Sequence, residues 1–215
     1  MPDTIAVIGG TGALGRGIAR RLAKAGRAVI VGSRSAQSAQ RAADELGHDI
    51  RAAANADAAA GADLIIVTVP FAAQEATLKE IAPAASGKVV VDATVPLVPP
   101  RVARVQLPEE GSAAVRAQTI LGPDVAVVGA FHNVAAAKLM GDARILCDVL
   151  VFGDDKQARA QVVELSEAMG LRAFQAGPLA SSAAAEALTS VLIFLNKSYG
   201  INGAGLQITG EAKPA

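Results

Sequence analysis

Ile5-Ala6-Val7-Ile8-Gly9-Gly10-Thr11-Gly12-Ala13-Leu14-Gly15 is the stretch from which the rest of the chain is read. Four apolar residues in unbroken succession mark a strand buried on both faces, the habit of a parallel sheet covered by helices. Gly10 to Gly15 then fit the spacing G-x-G-x-x-G, and residues 14–25 that follow are rich in Ala, Arg and Leu, as a helix is. The glycine pattern alone is weak; between a strand and a helix it becomes a dinucleotide fingerprint. Gly10 permits the tight turn, Gly12 lets backbone approach a pyrophosphate, and Gly15 allows helix and sheet to pack closely. The pyrophosphate would rest on the N–H groups and positive dipole end of a helix starting near Ala13 and Leu14, with the Thr11 hydroxyl as a further donor.

The same rhythm continues downstream. Ala28-Val29-Ile30-Val31, Leu64-Ile65-Ile66-Val67-Thr68-Val69, Lys88-Val89-Val90-Val91, Ala126-Val127-Val128-Gly129-Ala130 and Asp148-Val149-Leu150-Val151-Phe152 read as further strands, with a weaker one at Arg172-Ala173-Phe174. Helical segments at 36–46 and 73–82 alternate with them; Ser35 is a candidate N-cap, and Gly26 and Gly47 stand where helices end. Alternation of strand and helix predicts an α/β fold: a doubly wound, mostly parallel Rossmann sheet with a small helical C-terminal part. The expected division is a dinucleotide-binding domain over 1–178 and a helical segment over 179–215 that completes the site and offers a dimer interface. In that segment a helix over 183–199 carries Leu188, Val191, Leu192 and Leu195 at helical spacing. Residues 95–111, with Pro96, Pro99, Pro100 and Pro108, read as an irregular loop, either a flap over the site or a plain surface connection.

The end of the second strand selects the dinucleotide. A chain that binds NAD places Asp or Glu there for the ribose 2′-hydroxyl. Here Val31-Gly32-Ser33-Arg34 offers a hydroxyl and a planar guanidinium, which suit a 2′-phosphate, and the nearest downstream acid is Asp44. The reading is NADP(H). Val69, Pro70 and Phe71 close the strand over 64–69, on the edge that faces ribose and nicotinamide, and are expected to shape the cofactor's floor.

Composition removes other classes. Lys and Arg total 20 and so do Asp and Glu, so no basic field invites nucleic acid. With no Trp, one Tyr and five Phe, few rings remain to stack bases. One cysteine, Cys147, and two histidines, His48 and His132, argue against a disulfide framework and a metal site; Cys147 is expected to be a buried structural thiol. No continuous run reaches the ~18 apolar residues of a membrane span, and Met1-Pro2-Asp3-Thr4 has no basic leader character. These features predict a soluble cytoplasmic protein that engages neither nucleic acid nor membrane.

Beyond the cofactor half, the blocks Ala130-Phe131-His132-Asn133-Val134, Phe152-Gly153-Asp154-Asp155, Ala176-Gly177-Pro178-Leu179 and Glu186-Ala187-Leu188-Thr189 follow the glycine loop and Ser33-Arg34 in the order of one family. The chain resembles the NADPH-dependent F420 reductases, also called F420H2:NADP+ oxidoreductases, from Ile5 to about Thr209. The resemblance implies hydride exchange between nicotinamide C4 and C5 of the deazaflavin F420, a homodimer, and a site near His132, with Phe131 and Asn133 beside the rings. His132 is the candidate catalytic residue, orienting a ring or balancing the charge of the reduced deazaflavin. Gly203-Ala204-Gly205-Leu206 is expected to line the same pocket. Ala180-Ser181-Ser182-Ala183 departs from the family, which often has Asn and Arg there, and Ser35-Ala36-Gln37-Ser38 lacks the basic residue that usually follows Ser-Arg, leaving Arg41 as its substitute. Arg101, Arg104 or Lys197 replaces the missing cation only if the loop folds back. Two alternatives stay open: NADPH-dependent reduction of another acceptor (flavin, pterin, imine or small carbonyl), and a silent NADP(H)-binding protein.

Overall fold

A computed structural model describes residues 2–210. From the N-terminus come β1 (Thr4–Ile8), α1 (Ala13–Lys24), β2 (Ala28–Ser33), α2 (Ala36–Leu46), β3 (Arg51–Ala54), α3 (Asn55–Ala60), β4 (Leu64–Val67) and α4 (Phe71–Ala85). They are followed by β5 (Val89–Asp92), α5 (Ala113–Leu121), β6 (Ala126–Gly129), α6 (Ala136–Leu139), β7 (Val149–Gly153), α7 (Lys156–Ala168), β8 (Ala173–Gly177), a 3-10 turn at Leu179–Ser181 and α8 (Ser182–Tyr199).

The eight strands form one sheet in the order β3-β2-β1-β4-β5-β6-β7-β8. Every neighbouring pair is parallel except β6 and β7, which run antiparallel. The order reverses between β1 and β4, and at such a switch point the loops leaving the two strands diverge and open a crevice. Side-chain alternation explains the unbroken apolar runs. Ile5 and Val7 of β1, with Leu64 and Ile66 of β4, enter one core layer; Ala6, Ile8, Ile65 and Val67 enter the other. Both faces of the strand are dry, so no polar residue is tolerated on either.

Most expected elements are present with small shifts of boundary. Ser35 caps α2, its hydroxyl accepting the Ser38 N–H, and Gly47 ends that helix at φ 65°. The run 64–69 leaves the sheet after Val67, because Pro70 starts α4 two residues earlier than the spacing implied. Strand β3 was not legible: Arg51-Ala52-Ala53-Ala54 has no β-branched residue, and it is a strand because β2 offers it an edge, Ile30 to Arg51 through Ser33 to Ala54. Helices α3, α5, α6 and α7 were likewise unassigned; α5 and α7 are capped by the Ser112 hydroxyl and the Asp155 carboxylate.

Leu179–Tyr199 forms 21 helical residues long and apolar enough by composition to cross a membrane, with an 18-residue window of mean hydropathy 1.4 that is 33% buried. Its apolar residues are not continuous, because Ser182, Glu186, Thr189 and Ser190 interrupt them. Those groups bond into the rest of the fold: Ser182 to Ser112, Glu186 to the start of α5, Thr189 to the His132 carbonyl and Ser190 to the Arg104 carbonyl. That makes α8 a docked helix of a globular fold.

Candidate functional site

The glycine turn is shaped by contact on three sides and open on one. A Cβ on Gly10 would stand 2.7 Å from the Val7 carbonyl oxygen, and one on Gly15 would stand 2.6 Å from Thr68 Oγ1 and 2.7 Å from Gly10 Cα. Both positions require glycine for packing. Gly9 has φ +75° and sits against Val69 and Thr68, so the loops leaving β1 and β4 touch. Gly12 differs: a Cβ there would meet only the Gly9 carbonyl oxygen, at 3.3 Å. Its missing side chain leaves room in front of α1, where a pyrophosphate needs to approach backbone N–H groups. Thr11 and Leu14 are partly exposed and Ala13 is exposed at this mouth.

Ser33 ends β2 half-buried, and Arg34 follows it on the surface. Among the described residues Arg34 forms no ion pair, and the same holds for the exposed Arg51, Arg101, Arg104 and Arg144, so its place directly after β2 is what sets it apart. Arg41, on α2, donates to the Ser38 hydroxyl at 3.1 Å. Across the crevice, Val69 is half-buried against Gly9, Pro70 is the exposed N-cap of α4, and Phe71 is half-buried. The Arg116 guanidinium lies 5.1 Å from the Phe71 ring centroid and pairs with Glu75 at 2.6 Å. One face of Phe71 is thereby covered by a cation.

The turn after β6 carries the other candidates. Phe131 adopts φ 67°, a left-handed conformation unusual for a bulky residue, and its side chain is 1% exposed in the core. It holds the turn from within rather than presenting a ring to solvent. Asn133 is also buried; its amide donates to the Ala185 carbonyl at 2.8 Å and to the Thr189 hydroxyl at 3.1 Å. Asn133 therefore ties the turn to α8. His132 is buried too, and neither ring nitrogen has a hydrogen-bond partner among the described residues. Burial pulls its pKa down to about 4, so the ring is neutral near pH 7. Nε2 stands 4.0 Å from Glu186 Oε1. A cavity of about 120 Å³ opens beside this turn, lined by His132, Asn133, Thr189, Leu192, Asn196 and Ala204. Ala204 thus lies where expected; Gly205 instead packs on Cys147, whose buried Sγ donates to the Asn133 carbonyl at 3.4 Å. Burial raises the Cys147 thiol's pKa, as befits a structural residue.

Behind the turn lie two carboxyls that the sequence reading did not assign to the site. Asp92, at the end of β5, is wholly buried and accepts from the Thr94 hydroxyl at 2.6 Å and the Gln74 amide at 2.7 Å. Burial pushes its pKa up to about 6 against the pull of those hydrogen bonds. Glu186 accepts the Ala113 N–H at 2.7 Å, the Ala114 N–H at 3.2 Å and the Ser182 hydroxyl at 3.1 Å. Burial, aided by the charge of Asp92, outweighs those donors and raises its pKa to about 7. The available signal was an acid closing the apolar strand Val89-Val90-Val91-Asp92, and an acid four residues after Ser182 in an apolar helix. A recess of about 720 Å³ is lined by Gly87, Asp124, Asp155 and Gln161, at the opposite ends of β5 and β6 from the glycine turn. It takes no part in this arrangement.

Comparisons with known proteins bear on the family and the fold. A family profile described as NADP oxidoreductase, coenzyme F420-dependent, matches residues 4–96, the span that holds the glycine turn, Arg34 and Asp92. The F420-dependent NADP reductase of Methanothermobacter thermautotrophicus is 40% identical over 218 residues, covering 95% of this chain and 94% of that protein. The protein of that name from Methanothermobacter marburgensis is 41% identical over 221 residues, covering 95% and 97%. A crystal structure from Arthrobacter sp. FB24, of a protein proposed to be an F420-dependent NADP reductase, superposes with TM-score 0.83 at 27% identity, covering 98% of this chain and 100% of that one. Likeness of this extent reaches past the shared nucleotide half into the His132 turn and α8, and the chain belongs to the F420-dependent NADP reductase family.

Proposed function

We propose that this protein transfers a hydride between NADP(H) and the deazaflavin coenzyme F420. One observation carries the reading: whole-length likeness to reductases of that name falls on a chain whose glycine turn is open at Gly12 and whose β2 is followed at once by an exposed arginine. Gly10, Thr11, Gly12, Ala13, Leu14 and Gly15 hold the pyrophosphate, and Ser33 with Arg34 hold the 2′-phosphate. Val69, Pro70 and Phe71 wall the nicotinamide side. When both coenzymes are bound, the chemistry is direct hydride transfer between nicotinamide C4 and deazaflavin C5. The chain's share of that work is alignment and exclusion of water, which need no nucleophile. His132, neutral and buried at the turn with Phe131 and Asn133, orients the second ring.

The loop over 95–111 supports F420 as the partner. The Arg104 carbonyl accepts the Ser190 hydroxyl at 3.3 Å, so the loop that carries the exposed Arg101 and Arg104 is bonded to α8. These arginines meet the phosphate and acidic tail of F420. The segment from 179 onward completes the site, and the protein acts in the cytoplasm as a soluble homodimer paired through α8, whose Val191, Phe194 and Tyr199 are 45%, 55% and 72% exposed.

The test is spectrophotometric. Purified protein with NADPH should bleach the visible absorbance of F420, and reduced F420 with NADP+ should form NADPH. Turnover on a flavin, pterin, imine or carbonyl in place of F420 would favour a redirected reductase. NADPH binding without turnover on any of them would favour a binding protein.

A further inference from the structure

We propose that Glu186 is the positioning residue that decides which nitrogen of His132 carries the proton, so that Nε2–H turns toward Glu186 and the Nδ1 lone pair is offered to the site. The inference deepens the reading above, in which His132 orients the second ring.

His132 has its backbone fixed and its ring unpaired. Its carbonyl accepts the Thr189 hydroxyl at 2.9 Å, and the next residue, Asn133, is bonded to the Ala185 carbonyl. The ring nitrogens are buried with no partner among the described residues. An unpaired buried donor is costly, so the N–H of the neutral ring is driven toward whatever acceptor a small rotation reaches. Glu186 Oε1, 4.0 Å from Nε2, is that acceptor.

Glu186 is unable to move to meet it. Its two oxygens accept the first N–H groups of α5, from Ala113 and Ala114, and the Ser182 hydroxyl, whose oxygen in turn accepts the Ser112 hydroxyl. The carboxyl thus sits on the positive end of α5 and stays in place while the imidazole turns. The groups facing it are His132 after β6, Ser182 on its own helix, the α5 terminus, and Asp92 of β5, which reaches the same place through Gln74: its amide donates to both Asp92 and the Ala113 carbonyl, at 2.7 and 2.9 Å. Asp92 is the one charged group among them that shifts Glu186, and it is of like sign. No cation competes with His132 for the Glu186 oxygen among these contacts. A carboxylate held against one imidazole nitrogen selects the tautomer and the ring orientation together.

Nitrogen NMR of the NADP+-bound protein tests this, with exposed His48 as the internal reference. At a pH above the Glu186 pKa of about 7, where the carboxyl is ionised, the expected result is a neutral His132 protonated on Nε2; an Nδ1–H tautomer in the unaltered protein under that condition overturns the proposal. Glu186→Gln retains an oxygen for the Ala113 N–H and removes the charge. It should shift His132 toward the other tautomer and lower kcat with F420 roughly 10- to 100-fold, with KM for NADPH unchanged. An unchanged tautomer in that variant overturns the assignment. A double-mutant cycle separates positioning from simple structural support: in a His132→Gln background, Glu186→Gln should cost no further activity, and full additivity would sink the idea. Because the NMR readout needs no F420, failure of F420 turnover would leave it standing as a separate result.

Discussion

At the scale of single residues, the proposed cofactor choice rests on Arg34. It stands exposed at the end of β2, with no ion-pair partner among the described residues and no acid next to it in sequence. A guanidinium loses little rotamer freedom per bond when it grips a phosphate, and bonds to a charged group contribute about 1.5–3 kcal/mol. Arg34→Ala should therefore raise KM for NADPH roughly 10- to 100-fold. KM for NADH, which has no 2′-phosphate, should change little. Equal losses with both nucleotides in steady-state kinetics would contradict the assignment. Phe131 shows a different residue-level effect. Its positive φ is strained for a side chain with a Cβ, and the core contact of its ring holds it there. That strain directs the following residue, His132, toward α8.

At the scale of elements, α1 and α8 each serve two sides. Helix α1 opens at the glycine turn and also clamps the segment after His132. A Cβ on Gly17 would meet Leu139 Cβ at 2.5 Å, and the Arg21 guanidinium donates to the carbonyls of Leu139, Gly141, Ala143 and Met169. Helix α1 is thereby bonded to the segment that follows the His132 turn. Helix α8 directs Glu186, Thr189 and Ser190 inward and leaves Val191 and Phe194 outside, at 45% and 55% exposure. If that outer face is the dimer contact, Phe194→Glu places a charge in it without touching an inward bond. Sedimentation velocity should then give a monomer for the variant and a dimer for the parent. A dimeric Phe194→Glu protein would move the interface elsewhere.

At the scale of the whole molecule, the buried titratable groups give stability a predictable slope with pH. Asp92 is raised from 3.8 to about 6 and Glu186 from 4.5 to about 7, so the native state holds protons that the unfolded chain has released. Stability from these two falls as pH rises, through 3.8 to about 6 for Asp92 and 4.5 to about 7 for Glu186. His132 is lowered from 6.5 to about 4; its contribution is present above 6.5 and is lost as pH falls toward 4. Between about pH 5 and pH 6 the two acids outweigh the histidine by one proton, or about 1.4 kcal/mol. The melting temperature should therefore decline by a few degrees from about pH 5 to about pH 8. Asp92→Asn should flatten the first part of that decline, and an unchanged slope in calorimetry would show that Asp92 is not the group responsible.

How much of this was legible follows from where each signal resides. β1, the glycine turn, Ser33-Arg34 and the parallel sheet could be read because apolar continuity and a missing Cβ are properties of consecutive residues. Strand β3 could not, since alanines take their conformation from the neighbour they pair with. Helix α8 was legible to within a residue, but not the inward bonds of Ser182, Glu186, Thr189 and Ser190, because their partners lie far away in the chain. Asn133 was expected at the ligand, and its amide is engaged with α8. By itself, then, the sequence determined the fold class, the dinucleotide cradle and the preference for a 2′-phosphate, since each is a local matter of backbone room and fixed charge. Only the tertiary structure decided that Asp92, Glu186 and His132 converge. Burial and the start of α5 bring together residues up to 94 positions apart (186 − 92), and no local pattern encodes a protonation state that depends on the company a side chain keeps.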